Sequence, residues 1–71
     1  MEGHGYRWPT PHEMVQAAAR HHVRPGSRLA YAWALRELGV PRAALAELLI
    51  GHGFPAPTAQ AYARTVWQNE P

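Results

Sequence analysis

The sequence predicts an all-α fold, a compact bundle of about four short helices with a C-terminal helix-turn-helix. No segment alternates polar and apolar residues over the length of a strand, and breaks rich in Pro and Gly separate four segments with apolar residues at helical spacing. The 71 residues allow one domain. We expect a flexible N-terminal arm over residues 1–9 and a helical domain over residues 10–71.

The first predicted helix begins with a capping box. The Thr10 hydroxyl can cap the helix, Pro11 suits its first turn, and Glu13 can reach back to the Thr10 amide. We expect this helix to run to about His22, before the break at residues 24–26. The predicted inner residues are Met14, Ala17, Ala18 and His21, and the predicted outer residues are His12, Gln16 and Arg20.

The second predicted helix, over residues 28–38, carries two apolar stripes. Ser27 can cap it and Gly39 can end it. The larger stripe consists of Tyr31, Leu35 and Leu38, and the other consists of Leu29 and Trp33. A helix of this kind is either central in its own fold, which we favour, or shared with a partner chain. If the protein is a homodimer, we expect its interface to include Leu29 or Trp33.

Helices 3 and 4 form the predicted helix-turn-helix. Pro41 suits the first turn of helix 3, Gly51 and Gly53 are expected to stop it, and residues 54–57 are expected to form an extended turn. Helix 4 is predicted to run from Pro57 or Thr58 to about Gln68. The inward residues predicted for helix 3 are Ala44, Leu45, Leu48 and Leu49, and those for helix 4 are Ala59, Tyr62, Ala63, Val66 and Trp67.

The free face of helix 4 suits DNA. Its residues are Gln60, Ala61, Arg64, Thr65 and Gln68, and no acidic residue occurs between Glu47 and Glu70. Gln and Arg can hydrogen bond bidentately to adenine and guanine in the major groove. We therefore expect Gln60 and Arg64 to read bases. The alternatives are a helical scaffold with one solvated face and a small module, such as a phage or plasmid inhibitor, that docks on a host protein.

The charge distribution fits an anionic partner. The net charge is +2, all seven basic residues are Arg, and Asp is absent. Arg20, Arg24 and Arg28 fall within a stretch that lacks acidic residues. We expect Arg24 and Arg28 to contact phosphates, although such a stretch also suits an ordinary solvated loop.

The order of elements resembles that of small plasmid repressors of the KorA/TrfB type. The segments that carry the resemblance are residues 10–17, 38–49 and 59–67. It implies a helix-turn-helix that binds operator DNA and represses transcription. By matching position, Thr58, Gln60, Ala61 and Arg64 would lie in the recognition helix, with Arg42 near the DNA backbone. The expected turn, Gly51–Pro57, is longer than a tight helix-turn-helix allows. The chain also stops before the family's dimerisation domain, so we expect two-fold recognition to come from another surface or to be absent.

Other functional classes find little support in the sequence. Cys and Asp are absent, adjacent His21 and His22 point in different directions on a helix, and Ser27 is better suited to a cap than to a nucleophile. We expect no enzyme activity, metal, cofactor or small-molecule substrate. Without a signal-like or membrane-spanning stretch, we expect a cytoplasmic protein with double-stranded DNA as its partner.

Overall fold

A computed structural model describes residues 6–68, which form four α-helices and no strand. The helices are α1 (Pro11–His21), α2 (Arg28–Glu37), α3 (Arg42–Gly51) and α4 (Ala56–Trp67). The Cα radius of gyration is 11.3 Å, close to the value of about 11 Å for a folded chain of this length. The predicted all-α fold is therefore confirmed.

Two of the predicted N-caps are present. The Glu13 amide donates to Thr10 Oγ1 (3.2 Å), and the Thr10 amide donates to Glu13 Oε1 (2.9 Å), which completes the capping box of α1. At α2, the Ala30 amide donates to Ser27 Oγ (3.3 Å). These local hydrogen bonds satisfy amides that the first helical turn leaves without partners.

The first three helices end in the same way, with a left-handed residue followed by an amide that reaches back five residues. Gly39 (φ +89°) and Gly53 (φ +110°) take this position after α2 and α3. After α1 the position falls to His22, with φ 57°, and the Val23 amide donates to the Ala18 carbonyl (3.0 Å). Helix α1 therefore ends at His21, within one residue of the predicted end at about His22.

The connection between α3 and α4 is shorter than expected. It comprises the four residues between Gly51 and Ala56, because Ala56 and Pro57 already belong to α4. Pro57 suits this place because amides in the first helical turn have no partner within the helix. The prediction of an extended turn through Pro57 is wrong, since the helical start outweighs the preference of Ala56 for extended backbone. Four residues lie within the range of helix-turn-helix units.

Helix α2 is the central element. It packs against α1, α3 and α4, and α3 and α4 also pack against each other. The core residues are buried almost completely; they are Ala32, Leu35, Val40, Leu45, Leu49, Ala59, Ala63 and Val66. The alanines let the helices approach closely, and each buried Leu contributes roughly 1.5–3 kcal/mol. This packing confirms the central position that we favoured for the second helix.

The packed part of the chain begins before Thr10. The Trp8 ring stacks on the His52 ring, with centroids 3.8 Å apart, and Pro9 is buried. Residues 1–5 of the expected arm lie outside the described residues, as do residues 69–71. Within the described part of the chain, no helix is long and apolar enough to cross a membrane.

Candidate nucleic-acid interface

The outer face of α4 is a continuous polar surface. The side chains predicted for this face are all exposed; they are Gln60, Ala61, Arg64, Thr65 and Gln68. The opposite face is fixed in the core by Ala59, Ala63 and Val66. Thr58 is only partly exposed, and α4 itself carries no acidic residue. The helical period therefore orients the predicted DNA-binding residues toward solvent.

A groove of about 390 Å³ lies between α3 and α4. Both helices line it, through Arg42, Ala43, Ala46, Glu47, Ile50, Gln60, Ala63 and Arg64. The groove brings Arg42, which the sequence placed near a DNA backbone, to the same site as Gln60 and Arg64. Ile50, at 40% exposure, adds an apolar contact to this groove.

The helix that supplies Arg42 lacks a side-chain cap. Pro41 occupies the N-cap position of α3 and makes no side-chain hydrogen bond to the first turn. The amides of Arg42 and Ala43 therefore belong to a turn without a side-chain acceptor. The positive end of the helix dipole lies at the same place, which makes this end of α3 attractive to an anion.

Two arginines outside the groove are neutralised by ion pairs. Arg7 pairs with Glu13 (Nη2 to Oε2 2.6 Å), and Arg20 pairs with Glu37 through its Nε (3.0 Å). The hydrogen bonds from Arg7 and from the Thr10 amide lower the pKa of Glu13 to about 2. The hydrogen bond from Arg20, helped by that with His21, holds the pKa of Glu37 below its usual value against the opposing effect of burial.

The two arginines of the groove, in contrast to Arg7 and Arg20, are not neutralised by a carboxylate of the described residues. Among the described residues, neither Arg42 nor Arg64 makes an ion pair. Glu47 lines the same groove but lies within ion-pair distance of neither guanidinium. The carboxylates Glu13 and Glu37 are thus engaged near α1, and the guanidinium groups at α3 and α4 remain available to an outside anion.

The two arginines predicted to contact phosphates, Arg24 and Arg28, have different surroundings: Arg24 lies in the α1–α2 connection, and Arg28 is the first residue of α2. The Arg28 guanidinium lies 5.7 Å from the centre of the Phe54 ring, and Phe54 belongs to the α3–α4 connection. Arg28 is therefore held beside the unit that contains the groove. Arg24 is exposed on the α1–α2 connection.

The Thr65 hydroxyl uses its hydrogen atom in a hydrogen bond within α4. Its hydroxyl donates to the Ala61 carbonyl (2.9 Å). The exposed Thr65 side chain therefore offers a methyl group and a hydroxyl oxygen that can accept. This suits a thymine methyl or an amino group better than a phosphate, which needs a donor.

An aromatic cluster, which the sequence did not reveal, positions the α3–α4 connection. Tyr31 of α2 lies between Trp8, at 5.1 Å, and Phe54, at 6.1 Å, measured between ring centroids. Phe54 in turn meets Tyr62 of α4 edge to face, at 6.2 Å. These rings connect the N-terminal segment, α2 and α4 around the connection. The only sequence signal was the placement of Trp8 and Phe54 beside prolines, which says nothing about long-range contacts.

The residues proposed for an oligomer interface are partly buried in the monomer. Leu29 and Trp33 both pack against the core. The Trp33 ring also stacks on the His21 ring, with centroids 3.7 Å apart and planes 8° from parallel. Only the remaining exposed part of each side chain is open to a second copy.

Comparisons with known proteins give no relative: no protein family matches the chain, and no curated protein or solved structure is detectably similar to it.

Proposed function

We propose that this protein is a small DNA-binding transcriptional regulator that inserts α4 into the major groove. The observation that carries the proposal is the exposed face of α4, which lacks acidic residues and lies beside a groove with two arginines that make no ion pair within residues 6–68. An α-helix fits the major groove, and helix-turn-helix proteins insert the second helix of the pair. The four-residue connection between α3 and α4, and the contact between these two helices, agree with that use.

The side chains of this face are suited to different contacts with DNA. Gln60 lies in the first half of α4 and can pair bidentately with adenine. Ala61 is small enough for close approach and suits a thymine methyl, and Thr65 and Gln68 extend the contact. Arg64 can hydrogen bond to guanine or to a phosphate. Arg24 and Arg28 supply contacts to the DNA backbone.

Repression is the simplest outcome of such binding, because a small protein that occupies promoter DNA excludes other proteins from it. Two-fold operators are bound by two copies in helix-turn-helix proteins. We place the interface of a homodimer at the exposed parts of Leu29 and Trp33. Trp33→Glu should then give a folded monomer in sedimentation equilibrium; outright unfolding would show that Trp33 acts only in the core.

Selection from a random duplex library tests the proposed function. The full chain should enrich one sequence class, and fluorescence anisotropy should show tighter binding to the selected duplex than to a shuffled one. Both affinities should fall steeply between about 50 and about 200 mM salt, because Arg–phosphate contacts release counterions. Failure to bind any duplex at any salt concentration would overturn the proposal.

A protein partner is the second candidate, and Ile50 favours it. This side chain is 40% exposed in a groove whose neighbouring residues include Ala43 and Ala46. An apolar side chain from a partner could insert there between the charged residues. Ile50→Ala removes most of this apolar side chain without adding charge, and it should weaken binding to such a partner much more than binding to the selected duplex.

A further inference from the structure

The α3–α4 groove contains two guanidinium groups from two different helices. Arg42 is the first residue of α3, and Arg64 is the ninth of the twelve residues of α4. Both line the groove, and neither makes an ion pair among the described residues. Two like charges in one concavity repel each other, so an anion that contacts both would be bound favourably.

We propose that Arg42 and Arg64 together bind one phosphate group of the DNA backbone, an inference that rests on the proposed function. The guanidinium groups would donate to the two non-bridging oxygens from opposite walls of the groove. Arg64 thereby takes a backbone contact in place of the guanine contact that its residue type suggested.

The positions of the two residues favour a phosphate over a base. In helix-turn-helix complexes, the N-terminal residues of the recognition helix contact base edges, while the preceding helix crosses the backbone. Gln60 lies nearer the N-terminus of α4 than Arg64 does, and Arg64 shares its groove with the first turn of α3. A group held by α3 and α4 together is therefore part of the backbone.

The first turn of α3 adds to the attraction. Its amides have no side-chain cap, and Arg42 and Ala43 both line the groove. Backbone amides and the helix dipole favour a phosphate at such a place. Glu47 also lines the groove, but it forms an ion pair with neither arginine, so the donors of both guanidinium groups are not bonded to it.

A shared phosphate predicts coupled losses. Arg42→Gln and Arg64→Gln should each weaken binding by the same factor on the selected and the shuffled duplex. Each phosphate contact contributes about 0.9 to the slope of log K against log salt. If both arginines contact the same phosphate, the variant with both substitutions loses one phosphate contact, and its slope should be smaller by about one unit. If they contact two different phosphates, the slope should be smaller by about two units. Arg24→Gln, outside the groove, serves as the control and should combine additively with Arg42→Gln.

The experiment is a salt titration of these full-length variants, with a second duplex series in which a neutral methylphosphonate replaces one phosphate at a time. One methylphosphonate position should weaken wild-type binding and leave the double variant unaffected. Loss on the selected duplex alone for Arg64→Gln, or a slope change of about two for the double variant, would overturn the shared site.

A titration with inorganic phosphate tests the anion site independently of DNA binding. At constant ionic strength, phosphate should shift the amide NMR signals of Arg42 and Ala43 in the wild type and not in the double variant. If no duplex binds but these shifts occur, the anion site stands and the proposed function fails. If neither duplex nor phosphate binds, both proposals fail.

Discussion

At the scale of single residues, the Thr10 hydroxyl tests whether the capping box stabilises the fold. Thr10→Ala removes the acceptor of the Glu13 amide and should lower the free energy of unfolding by about 1 kcal/mol. Thr10→Ser retains a cap hydroxyl and serves as the control. The measurement is chemical denaturation followed by circular dichroism. An unchanged midpoint for Thr10→Ala would show that the cap contributes nothing.

His22 is the second residue with a measurable local effect. It takes the left-handed position after α1, with φ 57°, whereas glycine fills the equivalent positions after α2 and α3. Left-handed backbone costs a non-glycine residue roughly 1–2 kcal/mol. Replacement by glycine removes this cost, but glycine also raises the conformational entropy of the unfolded chain, which offsets part of the gain. His22→Gly should therefore stabilise the protein by up to about 1 kcal/mol.

Thermal denaturation of two matched variants checks the His22 prediction. Gln16→Gly introduces glycine at an exposed position in the middle of α1, where glycine is a poor helix former. Gln16→Gly should lower the Tm, and His22→Gly should raise it. Lowering by both would mean that the left-handed backbone at His22 carries no strain.

Local residue chemistry explains what could be predicted at this scale. The caps at Thr10 and Ser27 require residues only three positions apart, so the sequence contains them completely. The left-handed His22 was missed because the sequence signal for a break, Pro25–Gly26, lies downstream of the true end of α1.

At the scale of elements, the ion pairs of Glu13 and Glu37 make the free energy of unfolding depend on pH in the acidic range. The pKa of Glu13 is lowered to about 2, and that of Glu37 is also lowered, while a glutamate of the unfolded chain titrates near about 4.3. Between the lowered pKa values of the folded protein and the value of about 4.3, the unfolded chain binds more protons than the folded protein does. The ion pairs therefore stabilise the fold fully above the unfolded pKa and lose this effect as the pH falls. We expect the free energy of unfolding to fall as the pH drops from about 5 toward about 2.

Variants distinguish these pairs from general acid denaturation. Glu13→Gln retains an amide for the capping box but loses the charge that faces Arg7, and Glu37→Gln loses the charge that faces Arg20. Each should reduce the slope of stability against pH between about 2 and about 5. Glu47→Gln is the control, because Glu47 makes no ion pair within the described residues. An acid slope that is identical in all variants would contradict the assignment.

The elements themselves were predictable because their apolar residues repeat with helical spacing. The bounds of the elements are less predictable: α4 begins at Ala56, one residue before the earlier of its two predicted starts, Pro57 and Thr58. The preference of a residue before proline for extended backbone is only a bias, and Ala56 adopts helical backbone although Ala56 and Pro57 are both exposed. The shorter connection brings the α3–α4 pair closer to a helix-turn-helix.

At the scale of the whole molecule, Trp8 joins the N-terminal segment to the α3–α4 connection. It stacks on His52 and contacts Tyr31. Trp8→Ala should lower the free energy of unfolding by about 1–3 kcal/mol, through lost aromatic contacts and exposed apolar surface.

The control for Trp8 is Val15→Ala on α1. Val15 is 52% exposed, so its truncation should change stability by less than about 0.5 kcal/mol. Urea denaturation followed by circular dichroism gives both values. Equal stability of Trp8→Ala and the wild type would show that the segment before Thr10 does not support the fold.

The candidate site was predictable only in part. The face of α4 follows from helical spacing, since Gln60 and Arg64 are one turn apart. The groove does not, because it depends on how α3 packs beside α4 and brings Arg42 to Arg64. The neutralisation of Arg20 by Glu37, seventeen residues away, likewise depends on the packing of α1 against α2.

The central claim is that the exposed face of α4 recognises DNA, and two matched glutamines test it most directly. Gln60 and Gln16 are both exposed, on α4 and α1 respectively. The measurement is the Kd for the selected duplex, by anisotropy at one salt concentration. Gln60→Ala should weaken binding by about 1–3 kcal/mol, or roughly 5- to 150-fold, and bind the shuffled duplex as the wild type does, while Gln16→Ala should leave both values unchanged. Wild-type affinity of Gln60→Ala for the selected duplex, or an equal loss for both variants, would contradict the claim.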